Sequence, residues 1–374
     1  MNKGWQRLGH PAFFESGLNE CARRVILEYG VRLPKHYARG AVRRRAFYIV
    51  FSLSLLAVAS IGFACMVGSV ALPPADLATA MMEIAKGDPT SLAASLLELR
   101  LERALSAFVT GSALALAGVM MQVLLRNPLA DPYVLGVSGG ASVGALLAML
   151  FMGAAWMIDA AAFGGAVLVA VLLYWLARRD LRGNMAAEGS SQLLLTGVIL
   201  ASGCGALVTL VLSIAPDSRL RSMVFWLVGD LSGSQSGWLP WSVLAVAFAF
   251  ALCTARSINL VAMQSQAAAT LGVRVGALRK ALFLCSAILT ATAVTGAGSI
   301  GFVGLVVPHA CRFAFGPDHR LLLPASAIGG GVFLVMADTL ARVVLAPQQL
   351  PVGVVTAMIG VPVFLFQLYR FHRH

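Results

Sequence analysis

Charge is scarce in this chain. Only 12% of its 374 residues are Asp, Glu, Lys or Arg, about half the share of an ordinary soluble domain. Lysine occurs only at Lys3, Lys35, Lys86 and Lys280, and none follows the GxxxxGK[ST] pattern of a phosphate-binding loop, so the chain lacks that route to ATP. HExxH and GxSxG are both missing. The cysteines (Cys21, Cys65, Cys204, Cys253, Cys285, Cys311) are scattered with no CxxC, which removes zinc sites and disulfide frameworks and leaves small core residues. Of the histidines, His10, His36, His319, His372 and His374 fall in tails or loops, and His309 follows Pro308, where a structural role near a span end is expected. With no nucleophile–base pair, neither an intramembrane enzyme nor a resident cofactor or metal is expected.

Apolar residues make up 59% of the chain, and mean hydropathy is +0.83. A transmembrane helix needs about 20 apolar residues. Apolar runs and their punctuation predict ten spans, near 46–70, 100–124, 134–154, 160–177, 192–214, 238–255, 281–297, 299–315, 322–344 and 350–369. The fold class expected is therefore all-α: a polytopic membrane protein of about ten transmembrane helices. Gly296, Gly298, Gly301 and Gly304 divide 281–315 into two short helices around a bend. Small-residue patches, among them Gly111-Ser112-Ala113 with Gly118, Gly139-Gly140-Ala141 with Gly144, and Gly329-Gly330-Gly331, predict close helix packing.

Lys and Arg outnumber Asp and Glu by 28 to 16. In a membrane protein that excess is topological, and no nucleic-acid partner is implied. With the N-terminus inside, ten spans leave only Lys86, Arg100, Arg103, Arg219, Arg221 and Arg342 on the outside, and bring Arg370 and Arg373 back inside. Both termini are then cytoplasmic. Residues 1–45 form a basic cytoplasmic extension ending in Arg43-Arg44-Arg45, without a signal-peptide core, and read as a poorly ordered tail against the anionic leaflet. Residues 46–374 form the transmembrane domain.

Two connections stand out. The outer segment 71–98 predicts an amphipathic helix after Pro73-Pro74. The inner segment 256–280 predicts a short helix over Gln264–Leu271 stopped by Gly272, a docking surface or a plain linker helix. Intramembrane charge is nearly absent. Asp338 is the clearest instance, and it lies one helical turn from Arg342, near enough to pair. Proton relays usually employ more than one such group, so an ion-coupled secondary transporter is the alternative function rather than the first.

Several runs resemble FecCD-type permeases. These are Leu99-Arg100-Leu101-Glu102-Arg103, Gly118-Val119-Met120-Met121-Gln122, Arg126-Asn127-Pro128-Leu129-Ala130-Asp131-Pro132 and Leu135-Gly136-Val137-Ser138-Gly139-Gly140 in the first half. The second half contributes Gly298-Ser299-Ile300-Gly301-Phe302-Val303-Gly304 through Pro308-His309, Asp318-His319-Arg320, Ala337-Asp338 with Arg342, and Leu350-Pro351-Val352-Gly353 with Gly360 and Pro362. The similarity covers roughly 46–370.

The resemblance implies a type II ABC importer permease in the bacterial cytoplasmic (inner) membrane, serving vitamin B12, haem or ferric siderophores. It implies a homodimer, two separate ATPase subunits that use ATP and Mg, and a periplasmic substrate-binding protein, with no cofactor held by this chain. The coupling element would lie in the loop at about 256–280, carried by Gln266, Ala267, Ala268, Ala269, Leu271 and Gly272; the family often has glycine and an acid where Gln264 and Ser265 stand. Arg100, Arg103 and Arg342 match the family's outer arginines that receive carboxylates of the binding protein, with Glu102 replacing a proline. Asn127, Leu129, Ser190 and Ser191 match its cytoplasmic gate, although Asn127 is equally a turn former before Pro128.

Overall fold

The computed structural model describes residues 39–68, 74–86, 90–151, 153–178, 189–233 and 237–371. The expectations for 1–38 and for Arg373 lie outside these residues. The chain divides into two units, 1–48 and 49–374, and the helical bundle belongs to the second.

All regular structure among the described residues is helical. In chain order the helices are α1 Arg39–Met66, α2 Pro74–Lys86, α3 Leu92–Leu125, α4 Val137–Leu150, α5 Ala155–Leu176, α6 Gly189–Ile214, α7 Asp217–Val228, α8 Trp238–Met263, α9 Ser265–Thr270, α10 Val275–Ala297, α11 Val303–Phe315, α12 His319–Val343 and α13 Val352–Phe371, with a 3-10 turn at Pro132–Leu135. Helices α1, α3, α5, α6, α8, α10 and α12 are long and apolar enough to cross a membrane. Three shorter apolar helices, α4, α11 and α13, occupy the remaining expected span positions. At 14 residues α4 is about 21 Å long, shorter than the roughly 30 Å of a hydrocarbon core.

Helix α3 is the axis. Its most apolar 18-residue window is 94% buried, against 17% for α6 and for α8. A helix that is apolar all round belongs inside a bundle, and α3 packs on α12, α10, α11 and α8. Lipid supplies no hydrophobic drive between helices, so close backbone approach has to hold them. A Cβ added at Gly111 would overlap the carbonyl oxygen of Gly330 on α12, and one at Gly118 would overlap that of Gly304 on α11. Helices α4, α5 and α6 form a second layer around Leu146, Ala162, Leu173 and Leu193.

The glycine-rich stretch does separate two helices: α10 ends at Ala297 and α11 starts at Val303. Several helices run past the expected spans (α5 starts at Ala155, α8 ends at Met263, α10 starts at Val275), and one helix is additional. Helix α3 begins at Leu92, not near 100, because Ser91 caps it by accepting the Ala94 N–H at 3.1 Å and the charged turns continue the helix. Helix α7 was not anticipated. Its Arg219 donates from Nη1 to the carbonyls of Met149 (3.0 Å) and Leu150 (2.5 Å), satisfying the last turn of α4.

Candidate functional sites at the two ends of the bundle

At one end, two arginines meet one carboxylate and a third lies beside them on the end of α1. Arg103 of α3 donates to Asp338 of α12 through Nη2 at 2.8 Å and Nε at 3.0 Å, and its Nη1 reaches the Gln349 amide oxygen at 2.9 Å. Arg342, one turn beyond Asp338, brings its Nε to 3.1 Å from the other carboxylate oxygen, off the line a hydrogen bond needs. Its Nη2 donates to the carbonyl of Ala64 at 3.2 Å. Arg100 donates from Nη1 to the carbonyls of Cys65 (3.1 Å) and Met66 (3.3 Å). Two cations thus meet the last carbonyls of α1, which have no partner within the helix, where the negative pole of the helix favours them. Nearby, α2 is tied to the start of α3: the Ser91 N–H donates to Glu83 at 2.9 Å, and this bond holds the Glu83 carboxyl below the usual carboxylate range.

The structure brings the three sequence-predicted arginines together and pairs Asp338 with Arg342. It does not leave all three as open forks. Arg100 is 8% exposed and Arg342 5%, and only the Arg103 side chain, at 12%, keeps one guanidinium nitrogen turned toward an exposed partner. Asp338 as the hub of the cluster, and Gln349 beside it, were missed; the pairing of Arg103 with Asp338 joins residues 235 apart and has no local signal.

At the opposite end, α9 is a six-residue helix closed by paired bonds. The Val273 N–H reaches the Ala268 carbonyl and the Gly272 N–H the Ala269 carbonyl, each at 3.0 Å. Gly272 sits at φ +83°, where a side chain is disfavoured. Ala268 is fully buried, whereas Gln266, Ala267, Ala269 and Leu271 face outward, Leu271 at 68%. The predicted coupling residues therefore form one small presented surface, pinned through Ala268.

The same end holds a cleft of about 540 Å³ between α3, α8, α11 and α12. Arg312 donates to the Gln122 amide oxygen at 2.7 Å. The backbone N–H of His319 reaches Asn259 Oδ1 at 2.9 Å, which fixes that oxygen as an acceptor, so the His319 Nδ1 lying 2.7 Å from it carries the proton. Asn259 in turn donates to Asp318 at 2.7 Å. Among the gate residues, Asn127 is a turn former: its Oδ1 accepts the Leu129 N–H at 2.9 Å. Leu129 is exposed, and Ser190 and Ser191 open α6.

One further surface matters. Ser202, Gly205, Thr209 and Ser213 share an exposed face of α6, and each hydroxyl donates to the carbonyl four residues back.

Comparison with known proteins decides the family. The model of the FecCD transport family matches residues 55–370. The chain belongs to the FecCD transport family. It is 35% identical over 340 residues to the vitamin B12 import system permease protein BtuC of Salmonella paratyphi A, covering 89% of this chain and 98% of that one. It is 42% identical over 287 residues to the hemin transport system permease protein HmuU of Yersinia pestis, covering 73% and 83%. Among solved structures, an inward-facing metal-chelate-type ABC transporter aligns with a TM-score of 0.75 and 28% identity over 86% of this chain and 99% of that one. PsaBC from Streptococcus pneumoniae, at a TM-score of 0.51 and 15% identity over 77% and 95%, shares the fold. This FecCD chain is a multi-pass permease subunit of an ABC importer, not an enzyme.

Proposed function

We propose that this permease moves a bulky iron chelate or cobalamin (ferric siderophore, haem or vitamin B12) across the bacterial inner membrane, with cargo delivered by a periplasmic binding protein and work supplied by two ATPase subunits. The observation that carries the reading is α9: a short helix at one end of the bundle, pinned through Ala268 and presenting Ala267, Ala269 and Leu271 outward, in a chain without a phosphate-binding loop. A neighbour that grips this surface can transmit a push into α8 and α10, which flank it in the chain.

The α9 end is then cytoplasmic, as are both termini, and residues 1–45 are a basic cytoplasmic extension to the permease domain 46–374. The working unit is a homodimer with its path between the copies. The hydroxyl-bearing face of α6 supports this, since a stripe of Ser202, Thr209 and Ser213 suits a hydrated path better than lipid. Asn127, Leu129, Ser190 and Ser191 narrow its cytoplasmic exit. At the outer end, Arg103 receives a carboxylate of the binding protein, and Arg100 and Arg342 hold the rim beneath it. An exposed guanidinium steers and registers such an encounter more than it tightens it.

Reconstitution in vesicles tests the reading. Uptake of one of the three cargoes is expected only with binding protein, ATPase and ATP together. Accumulation by the permease alone, abolished by a proton uncoupler, would overturn it in favour of an ion-coupled secondary transporter.

A further inference from the structure

A groove of about 670 Å³ runs between α5 and α10. Val167, Val171 and Tyr174 form one wall, and Leu284 and Ile288 the other. Its floor is shallowed by small residues of α10, from Ala277 to Ala291. That is about 21 Å of helix at 1.5 Å per residue, longer than one leaflet's half of a roughly 30 Å hydrocarbon core. Apart from its ends the lining is aliphatic, and the walls are open to the surroundings of the bundle: Val171 is 57% exposed and Leu284 58%.

One end of the groove differs from the rest. Lys280 lines it, and among the described residues its ammonium has neither an ion-pair nor a hydrogen-bond partner. Tyr174 lies at the same end, its ring 6.3 Å from that of buried Phe283. Four residues beyond Tyr174, the Arg178 guanidinium sits 5.6 Å over the ring of Trp175, which is itself 60% exposed. Exposed Tyr and Trp beside cations mark headgroup depth in a membrane protein, and basic pockets between spans hold anionic headgroups.

We propose that this groove is a binding site for one anionic phospholipid, with an acyl chain laid along α5 and α10 and the phosphate held by Lys280 at its mouth. Both parts of the ligand are specified. The apolar length takes a chain that free phosphate lacks, and the cationic mouth selects against a zwitterionic headgroup, whose choline offsets the phosphate charge. A second copy of the permease seated here would bury the Lys280 ammonium among aliphatic side chains, a costly arrangement without a carboxylate to meet it. The site adjoins the coupling segment, because Lys280 lies in the second turn of α10 and α9 ends at Thr270.

The test reads lipid binding, not transport, so it stands or falls separately from the importer reading. The full chain, purified in detergent, is exposed to dioleoylphosphatidylglycerol or dioleoylphosphatidylcholine and weighed by native mass spectrometry. One phosphatidylglycerol per chain is expected, with phosphatidylcholine retained at least tenfold less. Lys280→Glu should lower retention about tenfold and Lys280→Arg should preserve it. Val171→Trp, which fills the groove from an exposed position, should also abolish it. Equal retention of both lipids, or full retention by Lys280→Glu, would overturn the proposal. So would displacement of the lipid by millimolar inorganic phosphate, or a chain-to-chain disulfide formed by Val171→Cys in vesicles, which would place a second copy there.

Discussion

Arg103 and Asp338 meet at 2.8 Å although α3 and α12 place them 235 residues apart. This bond closes the end of the bundle's two central helices, and Arg342 and Arg100 extend it to the terminal carbonyls of α1. Two guanidiniums, those of Arg103 and Arg342, share a single carboxylate, so the cluster depends on Asp338 more than on either arginine.

Asp338→Ala should therefore be severe. Removing one member of a buried ionic group leaves uncompensated charge and typically costs about 3–5 kcal/mol. Asp338→Asn, which keeps an acceptor of the same shape, should cost less. Thermal unfolding of the detergent-purified variants checks the order, and a melting temperature for Asp338→Ala equal to wild type would show that the cluster contributes nothing.

Gln349 offers a way to probe docking without dismantling that cluster. Its amide oxygen accepts from Arg103 Nη1 at 2.9 Å on the exposed side. Gln349→Glu places a resident carboxylate where the binding protein's would approach. Docking should weaken about fivefold, as expected for roughly 1 kcal/mol at a rim pair, with the basal hydrolysis of the associated ATPase and the melting temperature unchanged. Titration of labelled binding protein against the reconstituted permease measures it; unaltered affinity would remove Arg103 from the docking surface.

How much of the molecule the sequence discloses depends on the range of each signal. The Asp338–Arg342 pair, the stop at Gly272 and the break between α10 and α11 are local, so residue spacing alone exposed them. The burial of Arg100 and Arg342 was not local: an arginine at a span end looks the same whether it reaches water or folds back onto carbonyls of another helix. Helix α3 extended past its apolar window because Glu98, Arg100, Glu102 and Arg103 lower hydropathy without breaking a helix. Helix α7 escaped notice because its 12 residues carry Arg219 and Arg221, whose role, capping α4 in the case of Arg219, lies about 70 residues away.

Close packing makes opposite predictions for two glycines. At Gly111 even a Cβ meets the Gly330 backbone, so Gly111→Leu must push α3 and α12 apart. Overpacking usually costs about 1–3 kcal/mol, and with backbone as the obstacle the upper end is expected, seen as loss of folded, monodisperse protein. At Gly164 on α5 nothing lies within 4 Å. Gly164→Ala should be neutral or stabilising by up to about 1 kcal/mol through helix propensity. A thermal shift assay on both separates packing from propensity.

The α9 surface allows its fold and its contacts to be separated. Gly272→Ala forces a Cβ into a left-handed residue, costing about 1–2 kcal/mol locally, and loosens the closure made by Val273 and Ala268. Leu271→Asp leaves that closure intact but puts a charge on the outward face, where Leu271 is 68% exposed. If α9 is the element an ATPase grips, Leu271→Asp should abolish co-purification of the ATPase subunits at an unchanged melting temperature. Gly272→Ala should retain the complex and lower the cargo moved per ATP hydrolysed. Co-purification undiminished in Leu271→Asp would mean that the motor holds the permease elsewhere.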